Sequence, residues 1–211
     1  MDITWLGHSC FRVRSRDAAV ITDPVHKGWG TGKLEADIVT VSHDHSGHNN
    51  TSDVEGSPLV LSGPGEYECK DVLIQGISTY HDGERGVERG RNTVFLMEVE
   101  GLFVCHLGDL GHVPTSEQVA ALGNVDILMV PVGGATTIDA GKAVETVRLL
   151  EPKLVIPMHY HDPDQRPDLE PVDRFLRESG VKEATPQNRL TVTRSTLPQD
   201  TQVVMLERRR S

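Results

Sequence analysis

Residues 43–48, His-Asp-His-Ser-Gly-His, place three histidines at spacings i, i+2 and i+5 directly after the apolar run AspIleValThrVal (37–41). The run reads as a buried strand, and a short loop leaving a strand end can aim several imidazoles at one point while the sheet holds its base still. A metal site explains that arrangement better than a polar turn does. The chain must then fold so that other ligands arrive at the same point.

Length and composition bound the rest. A chain of 211 residues, 37% hydrophobic, can bury one good core and is short for two domains, so one domain spanning 1–211 is expected. Its 10 histidines are roughly double ordinary usage, which supports a role in metal binding. With 31 acids to 21 bases and a net charge of −10, the chain lacks the basic footprint of a nucleic-acid binder. The end ArgArgArg (208–210) reads as a solvated tail. Cys10, Cys69 and Cys105 are odd in number and lack CxxC spacing, so neither a disulfide framework nor a zinc ribbon is indicated and a reducing cytoplasm fits. No basic leader segment and no apolar run of ~20 residues is present, so a soluble, unprocessed protein without membrane contact is expected.

Up to about residue 105 the pattern is mostly strand: IleThrTrpLeu, CysPheArgValArg, AlaValIleThr, AspIleValThrVal, LeuValLeu, ValLeuIleGlnGlyIle, ThrValPheLeuMetGluVal and LeuPheValCys, punctuated by Gly, Pro, Asn or Asp. Strands and helices then alternate. Helices are predicted at 116–122, 139–150 and 171–179, and buried strands at 126–132 and 153–157. An α/β sandwich of two sheets with helices outside is the natural architecture.

The polar residues just past these runs form a set. AspIleValThrVal releases His43, His45 and His48, GlyIleSerThrTyr releases His81, LeuPheValCysHisLeuGly releases Asp109, and LysLeuValIleProMet releases His159. Five histidines and an aspartate, all displaced to strand ends, are improbable as independent surface residues. Around them, His8 in TrpLeuGlyHisSer reads either as a substrate contact or proton donor, or as a hydrogen-bonded structural histidine. Asp23 in ThrAspPro reads as a carboxylate orienting a ligand histidine or as a turn cap. Asp44 points away from 43 and 45 in an extended loop and is expected at the surface. Cys105 and His106 alternate in strand period, so one of them faces the core, with Cys105 a small buried hydrophobe and His106 a packing residue. His112 and His161 are open, Glu66 either lines the cleft or belongs to a Gly-rich turn, and Gly133-Gly134 is a weak candidate for backbone N–H groups facing an oxyanion.

The ordered set HisAspHisSerGlyHis (43–48), His81, Gly108-Asp109 and His159 resembles the metallo-β-lactamase fold superfamily, whose pattern is HxHxDH, a lone His, an Asp in a GlyAsp pair and a late His. TrpLeuGlyHisSerCysPhe (5–11), ThrAspPro (22–24), SerGlyProGlyGluTyr (62–67), HisLeuGlyAspLeuGlyHis (106–112) and IleProMetHisTyr (156–160) resemble its compact bacterial branch, which includes ascorbate-6-phosphate-lactonase-like hydrolases. The resemblance covers nearly the whole chain and implies a four-layer αββα sandwich. It implies His43, His45 and His81 as ligands of a first metal, Asp109 as a bridge and catalytic residue, and His48, Asp109 and His159 as ligands of a second. Zinc is the default, with manganese or iron accepted by such donors. The implied activity is a metal-dependent hydrolase that uses a metal-generated hydroxide on a small ester, lactone or phosphoester, with His8 as a catalytic proton donor. A small molecule is the expected partner, and self-association is left open.

Gly47 departs from the pattern where an aspartate is expected. Either the second site fills its shell with water around the three remaining ligands, or one metal in the three-histidine site suffices. A rival reading is a metal-binding protein of the same fold with little or no catalysis. An oxygen-handling di-iron member is a poorer match, because those resemble a pattern with Glu at the position of His45 and carry a flavin domain.

Overall fold

The computed structural model describes residues 1–182 and 184–209. The chain lays down β1 (Asp2–Gly7), β2 (Cys10–Arg14), β3 (Ala19–Thr22), β4 (Leu34–Glu35), β5 (Ile38–Thr40), β6 (Val54–Glu55), β7 (Leu59–Leu61), β8 (Gly65–Cys69), β9 (Val72–Tyr80), β10 (Arg91–Val99) and β11 (Leu102–His106). Then follow α1 (Ser116–Leu122), β12 (Ile127–Pro131), α2 (Ala140–Leu150), β13 (Leu154–Met158), α3 (Asp173–Glu178), β14 (Leu190–Thr191) and β15 (Gln202–Val203). Among the described residues these form a six-stranded sheet in the order β14-β1-β2-β3-β5-β7, a seven-stranded sheet β15-β13-β12-β11-β10-β9-β8, and the ribbon β4-β6.

The expected α/β sandwich is present. Ile3, Trp5, Phe11, Val13, Val20 and Ile38 of the first sheet meet Ile74, Phe95, Met97, Val104, Met129 and Ile156 of the second in one buried cluster. The far face of the second sheet packs Cys105, Leu128, Val130 and Val155 against Leu122 of α1, Ala143 and Leu150 of α2 and Phe175 of α3. The far face of the first sheet is covered by a thinner layer, in which Leu6, Ile21 and Val39 meet Val25, Leu34, Ala36, Val54 and the ring of Trp29.

Local chemistry places the helices where the sequence predicts. Thr115 caps α1 through a capping box with Gln118, and Gly123 ends it at φ +58°. The Asp139 side chain accepts from the Lys142 N–H and caps α2. Strand β8 does not read as a strand in the sequence, because it is an edge strand with mostly exposed side chains and a Gly-Pro approach; Glu66 lies on it, exposed. The alternation of Cys105 and His106 does not separate core from surface. Both are buried, because β11 runs centrally in a sheet covered on both faces. The basic end is not simply a solvated tail. The Arg208 side chain is only 8% exposed and pairs with Asp162 at 3.3 Å and with Asp164. Arg210 lies outside the described residues. Among the described residues the three cysteines are free, and no helix is long and apolar enough to cross a membrane.

Candidate metal centre

Strand ends bring the site together. β5 runs into Ser42 and the loop 43–48, β9 into His81, β11 into Asp109, and β13 into His159. Asp109 Oδ2 is the point of convergence: Nε2 of His159 lies 3.1 Å away, those of His48 and His81 3.3 Å, and that of His43 3.8 Å. Among the described residues the potential donor atoms form two trios of histidines, each with its members within 4.8 Å of one another: His43, His45 and His81, and His8, His48 and His159; a third group of the same size, Asp23, His43 and His48, overlaps both. His45 is the solvent-exposed member, whereas the other five histidines and Asp109 are buried.

The rings are aimed from behind. Asp23, fully buried, accepts from the Ser42 N–H at 2.7 Å and the Ser42 hydroxyl at 2.6 Å, and from His48 Nδ1 at 2.8 Å. Because Ser42 Oγ donates to Asp23, its lone pair accepts from His43 Nδ1 at 2.9 Å. One carboxylate therefore fixes the Nδ1 protons of two imidazoles and turns their Nε2 atoms toward Asp109, the usual arrangement behind ligating histidines. Asp23 thus makes both contacts expected of it, a cap on the Ser42 N–H and a hydrogen bond behind the His48 ring. His43 Nε2 is buried, faces Asp109 and has no hydrogen-bond partner. An unpartnered buried nitrogen on a ring packed among those of His45, His48 and His81 fits a cation and is costly without one.

The electrostatics agree. Burial alone would raise the Asp109 carboxyl, but the imidazoles of His159 and His48 hold it well below the usual range. Burial, with the His48 ring beside it, pushes His43 down to about 3. Burial and the neighbouring His159 and His48 rings hold His8 well below its ordinary value, so it stands neutral at pH 7. His48 moves the other way: burial opposes its charge, yet Asp109 and Asp23 raise it to about 10.

Other residues support the site without belonging to either trio. His106 Nε2 donates to the Ser9 carbonyl at 2.8 Å and so braces the turn that carries His8. Asn92, buried on β10, accepts from the Asp109 N–H at 2.9 Å and donates to the Leu107 carbonyl at 3.0 Å. In the sequence its only signal is an amide opening an apolar strand. Asp44 is exposed and bonds Asn49, as expected. His112 bonds the Val113 carbonyl and His161 the Pro167 carbonyl, away from the trios. Gly133 offers no free N–H to an oxyanion, because it donates to the His159 carbonyl at 3.0 Å. A Cβ at 133 would lie 2.3 Å from that oxygen, so glycine is what lets the two loops touch. Arg166, which nothing in its polar loop singles out by sequence, extends Nη1 to 3.5 Å from His8 Nε2 and 3.4 Å from His159 Nε2, while Asp168 accepts from its Nε and Nη2 at 2.9 and 2.7 Å.

The profile of the beta-lactamase superfamily domain matches residues 2–159. A UPF0173 metal-dependent hydrolase of Carboxydothermus hydrogenoformans is 31% identical over 194 residues, covering 76% of this chain and 85% of its own. A crystal structure from Thermotoga maritima, assigned to the metallo-beta-lactamase superfamily, superposes with a TM-score of 0.82 at 39% identity, covering 97% of each chain. CmlA, a diiron beta-hydroxylase from Streptomyces venezuelae, shares the fold alone, with a TM-score of 0.63 at 16% identity over 90% of this chain and 53% of its own.

Proposed function

The chain belongs to the metallo-beta-lactamase superfamily of metal-dependent hydrolases, and from that membership we propose that it hydrolyses a small anionic ester, lactone or phosphoester with zinc held at this centre. The observation that supports this reading is the gathering of four imidazole nitrogens within 3.8 Å of one carboxylate oxygen, Asp109 Oδ2. His43, His45 and His81 would hold one ion, with Asp109 shared between that ion and the cluster of His48 and His159. A divalent ion there supplies Lewis acidity and lowers the pKa of a bound water toward ~7.

The chain's own residues do the rest. Asp23 and Ser42 hold the Nδ1 protons of His43 and His48, so both rings keep their orientation when an ion displaces any proton from Nε2. Arg166, tethered by Asp168, sets a fixed positive charge at the edge of the second trio, which suits a substrate carrying a carboxylate or phosphate. Imidazole and carboxylate donors favour zinc and also accept manganese or iron.

The test is metal analysis of the purified chain, coupled to a screen of lactones, esters and phosphoesters. Near-stoichiometric zinc and turnover of an anionic member are expected. A His45→Ala variant that keeps full metal content would overturn the ligand assignment, and manganese or iron in place of zinc would overturn only the choice of metal.

A further inference from the structure

Gly47 leaves the second trio without the carboxylate that the superfamily pattern expects, and the structure shows which side chain lies beside it. A Cβ built on Gly47 would lie 3.4 Å from His8 Nε2, 3.5 Å from its Cδ2 and 3.7 Å from Trp29. These are ordinary contact distances, so the His8 ring is the nearest side chain to position 47. The imidazole therefore lies beside the place where the pattern's carboxylate would begin.

The geometry points to His8 as a ligand of a second metal ion, replacing the side chain absent at position 47. This inference rests on the metal-dependent reading above and extends it to a residue that the superfamily's ligand pattern does not include. His8 Nε2 is 3.1 Å from His48 Nε2, and the His8 and His159 ring centroids are 4.3 Å apart. Since His48 Nδ1 is committed to Asp23, it is Nε2 that faces His8. Donors in a tetrahedral zinc shell with Zn–N near 2.0–2.1 Å are separated by about 3.3 Å, close to this approach.

The turn that presents His8 is over-determined. His8 sits at φ +53°, a left-handed conformation that a histidine holds only when its surroundings impose it. Four hydrogen bonds do so. Trp5 Nε1 donates to the His8 carbonyl at 3.0 Å and the His159 N–H to the same oxygen at 3.3 Å. His106 Nε2 at 2.8 Å and Thr22 Oγ1 at 3.1 Å donate to the carbonyl of Ser9.

One residue competes for this role. Arg166 could itself supply the second positive charge, with its guanidinium donating to His8 and His159. Its contacts there, 3.5 and 3.4 Å, are longer than its two bonds to Asp168, and the carboxylate already partners its charge. The convergence of His48 Nε2 and Asp109 Oδ2 on the same point also goes unexplained by the guanidinium.

The experiment titrates chelator-stripped full-length chain with zinc alone and reads bound equivalents by elemental analysis and competition with a chromophoric chelator. The wild type is expected to take two ions. His8→Gly, which relieves the left-handed backbone, should keep the first and bind the second roughly 100-fold more weakly or more, a loss at the upper end of what removal of supporting groups alone produces. His8→Gly combined with Gly47→Asp should regain the second ion, and Arg166→Ala should leave both. Histidine-selective nitrogen NMR of the wild type, in which the His8 Nε2 resonance should shift as the second equivalent is added, decides the matter should the variants fail to fold. A second ion bound with unchanged affinity in His8→Gly overturns the assignment. So does a wild type holding one ion that becomes two in Arg166→Ala, which gives the role to the guanidinium. A wild type holding a single ion that His45→Ala abolishes overturns the His8 assignment and leaves the proposed function standing; a chain that binds no ion overturns both.

Discussion

His48 Nδ1 donates to Asp23 Oδ2 across 2.8 Å, between a histidine from the loop after β5 and an aspartate from the end of β3. The same carboxylate oxygen accepts from the Ser42 hydroxyl, which in turn receives His43 Nδ1. Both trios thus depend on one anion that does not itself reach Asp109.

Asp23→Asn should therefore weaken both ions at once. Asparagine tolerates the φ of +39° at this position, so the fold should persist. It lacks the charge that draws the two Nδ1 protons, and loss of such a partner costs about 10–100-fold in metal affinity. Chelator competition measures this, with circular dichroism as the control. Unchanged affinity at both sites would show that the carboxylate merely caps its turn.

Arg166 separates charge recognition from catalysis. Arg166→Ala should raise KM for phosphorylated or carboxylated substrates by about tenfold or more while kcat changes less, the signature of a lost binding contact. Neutral esters should be indifferent. Equal loss on charged and neutral substrates would place Arg166 in a structural role.

Gly133→Ala sets a methyl 2.3 Å from the His159 carbonyl, against backbone that cannot swing away. Overpacking of this kind costs about 1–3 kcal/mol, which for a chain of this size lowers Tm by roughly 2–12 °C. Metal affinity should fall with it, since the strained contact is to a histidine of the second trio. A thermal melt unchanged from wild type would contradict the packing.

The three thiols should differ in reactivity. Cys10 and Cys105 are fully buried; burial pushes Cys10 up to about 12 and Cys105 higher, so at pH 8 neither offers thiolate to a reagent. Cys69 is partly exposed on the edge strand β8. Titration with a disulfide reagent should count about one thiol in the native state and all three after denaturation.

Much of the site is legible in the sequence because a metal centre uses a residue type that is scarce elsewhere. His43, His45, His48, His81, Asp109 and His159 each follow an apolar run, and that pattern needs no coordinates. The strands and helices are legible for a related reason: buried central strands read as apolar runs, and α1 carries its cap and its terminal glycine in plain view. Strand β8 escapes notice because an exposed edge strand has no such pattern.

What the sequence by itself determines about this chain is its list of candidate ligands, its superfamily and the gap at Gly47. Tertiary structure alone decides how the gap is met, that Asp23 serves two histidines, that Asn92 holds the Asp109 loop and that Arg166 faces the second trio. These contacts reach across as many as 158 positions of chain, from Arg166 to His8. Hydrophobic periodicity is local and records which face of an element is buried. Which two loops meet at the end of a sandwich depends on sheet order, and residue 8 can be seen to lie beside residue 47 only once β1 and β5 lie in one sheet.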